Sequence, residues 1–114
     1  MSRYLVRITP LAEADADAIV DWIAIRSAAG AVNWYAAFWA AVESLERTPL
    51  AYGLADEAES LGREVRQRLF RTPRGRLYRL LYTIEPGEVR VIRVRGPGQP
   101  PIAGRDLPPQ RDLS

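Results

Sequence analysis

The sequence predicts an α+β fold of element order β-α-α-β-β-β, an antiparallel sheet packed on a helical hairpin. Three observations carry that expectation. Residues 3–9 alternate polar and apolar side chains at period two. Residues 10–47 carry apolar side chains at helical spacing, interrupted near Gly30. Residues 64–95 hold three further alternating stretches separated by Pro-Gly turn signals. Runs of helix followed by runs of strand mark an α+β layer rather than alternating βαβ units.

In the first strand, Tyr4, Val6 and Ile8 alternate with Arg3, Leu5 and Arg7, so one face is expected to be buried. Thr9-Pro10 starts a helix, with a hydroxyl at the N-cap and proline at the first helical position. Glu13, Asp15 and Asp17 follow where the helix dipole favours anions. Ala12, Ala16, Ile19 and Ile23 form the apolar face with Trp22 beside them, and Ala28-Ala29-Gly30 is the expected end. A second helix over about 31–47 carries the stripe Tyr35, Phe38, Val42 and Leu45, and Thr48-Pro49 stops it. The short connection makes the two an antiparallel hairpin. Residues 49–62 have turn residues and acids without a sustained period, which reads as a loop with one helical turn.

Three strands complete the layer. Over 64–72, Val65 and Leu69 fall on one side and Arg66, Arg68 and Phe70 on the other. Over 76–84, Tyr78, Leu80, Tyr82 and Ile84 alternate with Leu77, Arg79, Leu81 and Thr83. Over 88–95, Ile92 and Val94 alternate with Val91, Arg93 and Arg95. Pro73-Arg74-Gly75 and Glu85-Pro86-Gly87 make the tight turns of antiparallel hairpins. Residues 1–95 are thus expected to form one domain. The stretch 96–114, holding five of the nine prolines, is expected as a tail lying over that domain or partly disordered.

Composition excludes whole classes of chemistry. With no Cys and no His among 114 residues, disulfide frameworks, thiolate or imidazole metal sites and His-based triads are ruled out. Asp15/Asp17 and Asp56/Glu57/Glu59 lack a second ligand set, so neither a metal nor a cofactor is expected. No apolar run approaches the ~18 residues of a membrane helix, and the first residues do not read as a signal peptide. A soluble, cytoplasmic protein is the expectation.

Charge is segregated along the chain. All 16 basic residues are Arg, and the net charge of +2 hides −5 over residues 1–62 and +7 over residues 63–95. With Tyr4-Val6-Ile8, Val65-Leu69, Tyr78-Leu80-Tyr82 and Ile92-Val94 facing the helices, the opposite face receives Arg3, Arg7, Arg66, Arg68, Arg79, Arg93 and Arg95. Arg71, Arg74 and Arg76 sit at the hairpin rim. Guanidinium forks in that number suit phosphate or carboxylate, which points to nucleic acid or an acidic protein segment. The alternative is a solvated face whose arginine stems cover the apolar sheet. Trp34 and Trp39 are five residues apart, so one helix face does not bury both. One of them is left at the hairpin edge, for a partner to cover or to lie flat over the seam.

Several segments together resemble the RelE/ParE superfamily of toxins from type II toxin–antitoxin modules, also called plasmid stabilisation proteins. They are Tyr4 to Pro10, Ala12 to Ile19 with Trp22-Ile23, Leu45 to Pro49, Glu64 to Phe70, Tyr78 to Tyr82 and Val89 to Arg95. The resemblance covers about residues 3–107. It implies a growth inhibitor neutralised by a cognate antitoxin in a hetero-oligomer. It further implies one of two targets, DNA gyrase for ParE-like members or mRNA on the ribosome for RelE-like ones, which cleave it without a metal. By position, Arg66, Arg79, Arg93 and Arg95, with Arg68 beside them, fall where the superfamily carries basic residues on its open sheet face. These five are the candidate target-binding residues, with Arg79 and Arg93 central, and Trp34 and Trp39 are the candidate antitoxin-binding residues. RelE-like cleavage uses Lys, His, Glu or Tyr near the end of the last strand for proton transfer. Here that stretch reads Arg95-Gly96-Pro97-Gly98-Gln99. A guanidinium is a poor general base, so no catalytic residue is assigned and gyrase is the preferred target. A non-toxic nucleic-acid-binding or interaction module is the alternative from another class.

Overall fold

A computed structural model describes residues 3–107, and residues 108–114 of the expected tail lie outside the described residues. The elements run β1 (Leu5–Ile8), α1 (Pro10–Ala24), α2 (Ala28–Ser44), a 3-10 turn (Pro49–Ala51), α3 (Ala58–Leu61), β2 (Arg66–Phe70), β3 (Tyr78–Glu85), β4 (Glu88–Arg95) and a second 3-10 turn (Gly104–Asp106). The α+β order is the one expected, with a four-stranded sheet packed on a helical hairpin. Among the described residues no helix is long and apolar enough to cross a membrane.

The helix starts follow their caps. Thr9 Oγ1 accepts from the Ala12 N–H, with Pro10 at the first position. The junction between the helices is where the expectation shifts. α1 ends at Ala24, before the Ala-Ala-Gly segment, because Ser27 Oγ accepts from the Gly30 N–H at 2.9 Å and starts α2 there. Gly30 therefore lies inside the first turn of α2 instead of ending α1. A Cβ on it would press on Ser27 and on Ile23 of the neighbouring helix, so the glycine lets the hairpin close.

Sheet order is β1-β4-β3-β2. The β2–β3 and β3–β4 pairs are antiparallel, and the second is closed at Pro86-Gly87 with Gly87 at φ 70°. β1 runs parallel to β4, so the sheet is mixed and not wholly antiparallel. A short turn would force antiparallel pairing, but the helices and two strands between β1 and β4 remove that constraint.

Two registers differ from the alternation read along the chain. Leu81 pairs with Arg93 and Tyr82 with Val91, leaving Ile92 as an extra residue in a β-bulge. The bulge turns Val89 and Val91 toward the helices beside Val94, while Ile92 moves to the opposite face. On β2, Phe70 pairs with Tyr78, Arg68 with Leu80 and Arg66 with Tyr82. Phe70 thus faces the helices, and Val65 packs on the other side. The cause is the aromatic cluster, in which Phe70 meets Trp34, Phe38 and Tyr78 at centroid distances of 5.7, 6.2 and 5.9 Å.

Two cores result. The larger joins α1, α2 and the sheet through Ala12, Ala16, Phe38, Val42, Leu45, Leu80 and Tyr82. The smaller lies on the far face, where Ala55, Ala58, Val65 and Ile102 cover Leu81 and Ile92. Tyr82 ties the larger core to the connection after α2, its hydroxyl donating to the Pro49 carbonyl at 2.5 Å. Replacing Tyr82 by Phe keeps the ring and leaves that carbonyl unpaired. The expected loss is about 1–3 kcal/mol in urea unfolding with an unchanged m value; an unchanged midpoint would show the bond to be dispensable.

Candidate functional site

Arginines do gather on the far sheet face, but that face is covered. β1 and β4 supply Arg7, Arg90, Arg93 and Arg95, and β3 supplies Arg79. The segment before β2 and the residues after β4 lie over Arg79, Arg93 and Arg95 and bring Glu57 and Asp106, while α1 supplies Asp15. Glu57 receives both terminal nitrogens of Arg79 at 2.8 Å, and its second oxygen also accepts from the Ile102 N–H. Arg93 donates through Nε and Nη2 to Asp15 at 2.7 Å and through Nη1 to Asp106 at 2.5 Å. Asp15 further accepts from the Val94 N–H at 2.9 Å, occupying the part of the β4 edge that short β1 does not reach. Arg95 donates to the Pro100 carbonyl, with Asp15 and Asp106 at 3.5 and 3.9 Å. Glu88 lies between Arg7 and Arg90.

The electrostatics follow from this pairing. The hydrogen-bonded Arg79 guanidinium holds the Glu57 carboxyl down, from its ordinary 4.5 to about 2, against the opposing effect of burial. Asp15 raises Arg93 further. Burial, with Arg93 alongside, lowers Arg95. Burial pushes Asp106 up, yet the Ala103 N–H and the two arginines leave it below the usual carboxylate range. Desolvated guanidinium groups side by side require anions close at hand. These carboxylates tie the outer segments to the sheet.

The five candidate target-binding arginines therefore occupy two faces. Arg79, Arg93 and Arg95 lie in the covered ion-pair layer. Arg66 and Arg68 do not share the open face as expected, because the β2 register turns them to the helix side. Arg66 donates to the Tyr52 carbonyl at 2.6 Å and to Glu64. Arg68 stacks 4.7 Å over the Tyr52 ring and reaches Ser44 Oγ at 3.4 Å. The Tyr52 phenol lies below its usual value, chiefly through its hydrogen bond with Ser44. By contrast, burial raises Tyr78 and pushes Tyr82 up to about 12.

The two tryptophans separate as their spacing requires. Trp34 is only 3% exposed and sits among Phe38, Phe70 and Tyr78, so it is a core residue and offers no surface to an antitoxin. Trp39 is 39% exposed beside Tyr35 and Phe38. With Val32 and Tyr35 it makes an exposed apolar stripe at i, i+3 and i+7 of α2. Beneath Tyr35 and Trp39 a cleft of about 170 Å³ opens onto Ala16 and Glu13 of α1. Among the described residues no group of three or more acids is placed to hold a metal ion.

Sequence reasoning missed a further feature, a pair of hollows around Trp22 where the α1–α2 junction meets the β2–β3 turn. Its signal was present in the rim arginines 74 and 76. Nothing in the linear pattern joined them to Trp22.

A four-stranded sheet packed on a helical hairpin in the order β-α-α-β-β-β is the architecture expected of a RelE/ParE-type toxin, whereas the pairing of its sheet-face arginines with carboxylates departs from that expectation. The family model described as the ParE toxin of the type II toxin–antitoxin system parDE matches residues 6–101, and the chain belongs to that family. No curated protein and no solved structure shows significant similarity to it.

The Glu57–Arg79 pair sets a pH dependence. Folding lowers the Glu57 pKa, so its stabilisation is complete above about pH 4.5 and is lost as pH falls toward 2. Urea midpoints should drop across that window. Glu57→Gln should lose about 2–3 kcal/mol at pH 7 and show a flatter acid limb. Parallel acid limbs for the two proteins would assign the acid sensitivity to other carboxylates.

Proposed function

We propose that this type II toxin acts in the cytoplasm on DNA gyrase, and that its antitoxin lays an amphipathic helix along Val32, Tyr35 and Trp39. The observation that carries the choice of target is the disposition of the arginines and of the chain after β4. A ribonuclease of this superfamily needs free cations around the phosphate and a proton acceptor beside them. Here Arg79 and Arg93 are engaged by Glu57, Asp15 and Asp106, and Gly96-Pro97-Gly98-Gln99 supplies no base. Tyr78 and Tyr82 are buried phenols raised in pKa, which are poor acids and poor bases near neutrality.

Target contact through Arg79, Arg93 and Arg95 fits this reading if the target offers carboxylates that exchange with the internal ones. The match of the chain to the ParE toxin family over residues 6–101 supports the same preference. One observation favours mRNA cleavage instead. Tyr52 is a phenol of lowered pKa with the Arg68 guanidinium over its ring, a group able to exchange a proton beside a cation.

Induced expression without the antitoxin should arrest growth and leave plasmids with altered supercoiling while mRNA stays intact. Purified protein should inhibit supercoiling by gyrase. Ribosome-dependent mRNA cleavage, lost in Tyr52→Phe, with gyrase unaffected would overturn the assignment. Trp39→Arg should weaken co-purification of the antitoxin at least tenfold and leave thermal stability within a few degrees; full retention of the antitoxin would place it elsewhere. Arg79→Ala with Arg93→Ala should lower the melting temperature. A soluble, folded double variant that still arrests growth would remove these arginines from target contact.

A further inference from the structure

The described arginines of the far sheet face are answered by carboxylates, whereas those at the β2–β3 turn are not. Arg74 and Arg76 are exposed and have no ion-pair partner among the described residues. The turn that presents them is tight, since a Cβ on Gly75 would lie 2.2 Å from the Thr72 hydroxyl. Across from them stands Trp22, 51% exposed, with the Arg26 guanidinium 4.4 Å above its ring. Two hollows of about 350 and 530 Å³ meet here and share Trp22, Arg76 and Tyr78. Gly96 closes one side so tightly that a Cβ would come within 2.6 Å of the Tyr78 ring. Among the described residues no carboxylate lines either hollow. Trp34 lines the larger one, and its indole N–H is buried without an acceptor.

We infer that this groove binds the nucleoside phosphate unit of a single-stranded nucleic acid, the base against Trp22 and the phosphate between Arg74 and Arg76. Each part of the ligand has its counterpart. Guanidinium forks suit phosphate oxygens bidentately, and a half-open indole is a stacking platform for any base. The Asn33 amide in one hollow, and in the other the Gln99 amino group, whose Oε1 accepts from the Gly96 N–H, are placed to meet a base edge. Hollows of this size and shape hold a nucleotide. An acidic peptide would instead favour a line of cations along a strand edge or helix groove. The inference is independent of the choice of toxin target.

The probe is a labelled single-stranded octadeoxyadenylate, followed by fluorescence anisotropy on the full chain, with AMP and a decaglutamate peptide as competitors. Expected is binding that weakens with salt and loses about tenfold in affinity in Trp22→Ala. Arg74→Ala combined with Arg76→Ala should lose a similar factor and reduce the salt slope by about 0.7, one phosphate's worth. All three positions are exposed, so circular dichroism melting should be unchanged. Competition by AMP would show that one nucleotide suffices, and its failure beside a sensitive oligonucleotide would show that linked phosphates are needed. Either supports the site. No binding of oligonucleotide and AMP, or binding indifferent to both variants, would overturn it. So would decaglutamate binding more tightly than the oligonucleotide with the same sensitivity to the variants, which would mark a site for an acidic protein segment.

Discussion

Placing a row of guanidinium groups under a covering layer is the constraint around which much of this molecule is arranged. Arg79, Arg93 and Arg95 project from the two central strands into a face that residues 54–65 and 96–107 close over. Cations so placed are tolerated only beside anions, because the cost of desolvating them is otherwise several kcal/mol each. Glu57, Asp15 and Asp106 answer that need from three separate segments. Neutralising the sheet and fastening the chain around it are the same set of bonds. The acidic first half and basic second half of the sequence meet in this layer.

The same layer explains how the tail is held. Ile102 is buried against Leu81 and Ile92, and its N–H donates to the carboxylate that holds Arg79. Asp106 accepts from the Ala103 N–H at 2.7 Å and from Arg93. Apolar burial and charge pairing therefore reinforce each other over residues 96–107. For a toxin, the consequence is that its most concentrated positive charge is internally compensated. Among the described residues, Arg74 and Arg76 at the turn around Gly75 and Arg26 at the α1–α2 junction have no carboxylate partner.

Opposite that layer, α2 divides its aromatic residues between two tasks. Trp34 and Phe38 stack at 5.5 Å with planes 12° apart and fill the core with Phe70 and Tyr78. Val32, Tyr35 and Trp39 stay at the surface. Family membership implies an antitoxin partner, and this exposed stripe is the seat proposed for it. The exposed α2 stripe and the ion-pair layer thus lie on opposite sides of one sheet.

By itself the sequence determined the elements and their order, since period two over 3–9 and 76–84, the Thr9-Pro10 start and the Pro86-Gly87 turn are local signals with local causes. It also determined the segregation of charge and, through the five-residue spacing of Trp34 and Trp39, that one of them would remain at the surface. Tertiary structure decided which way the alternating strands faced. A single extra residue at Ile92 reverses half of β4, and the pull of Phe70 toward Trp34 and Tyr78 carries Arg66 and Arg68 to the helix side. Alternation along a strand reports two faces without saying which is which, and the pairing partner settles it. The pairing of Arg79 with Glu57 and of Arg93 with Asp15 and Asp106 was likewise invisible along the chain. Those partners are 22, 78 and 13 residues apart, and only the packing of α1 and of the covering segments on the sheet brings their opposite charges within bonding distance.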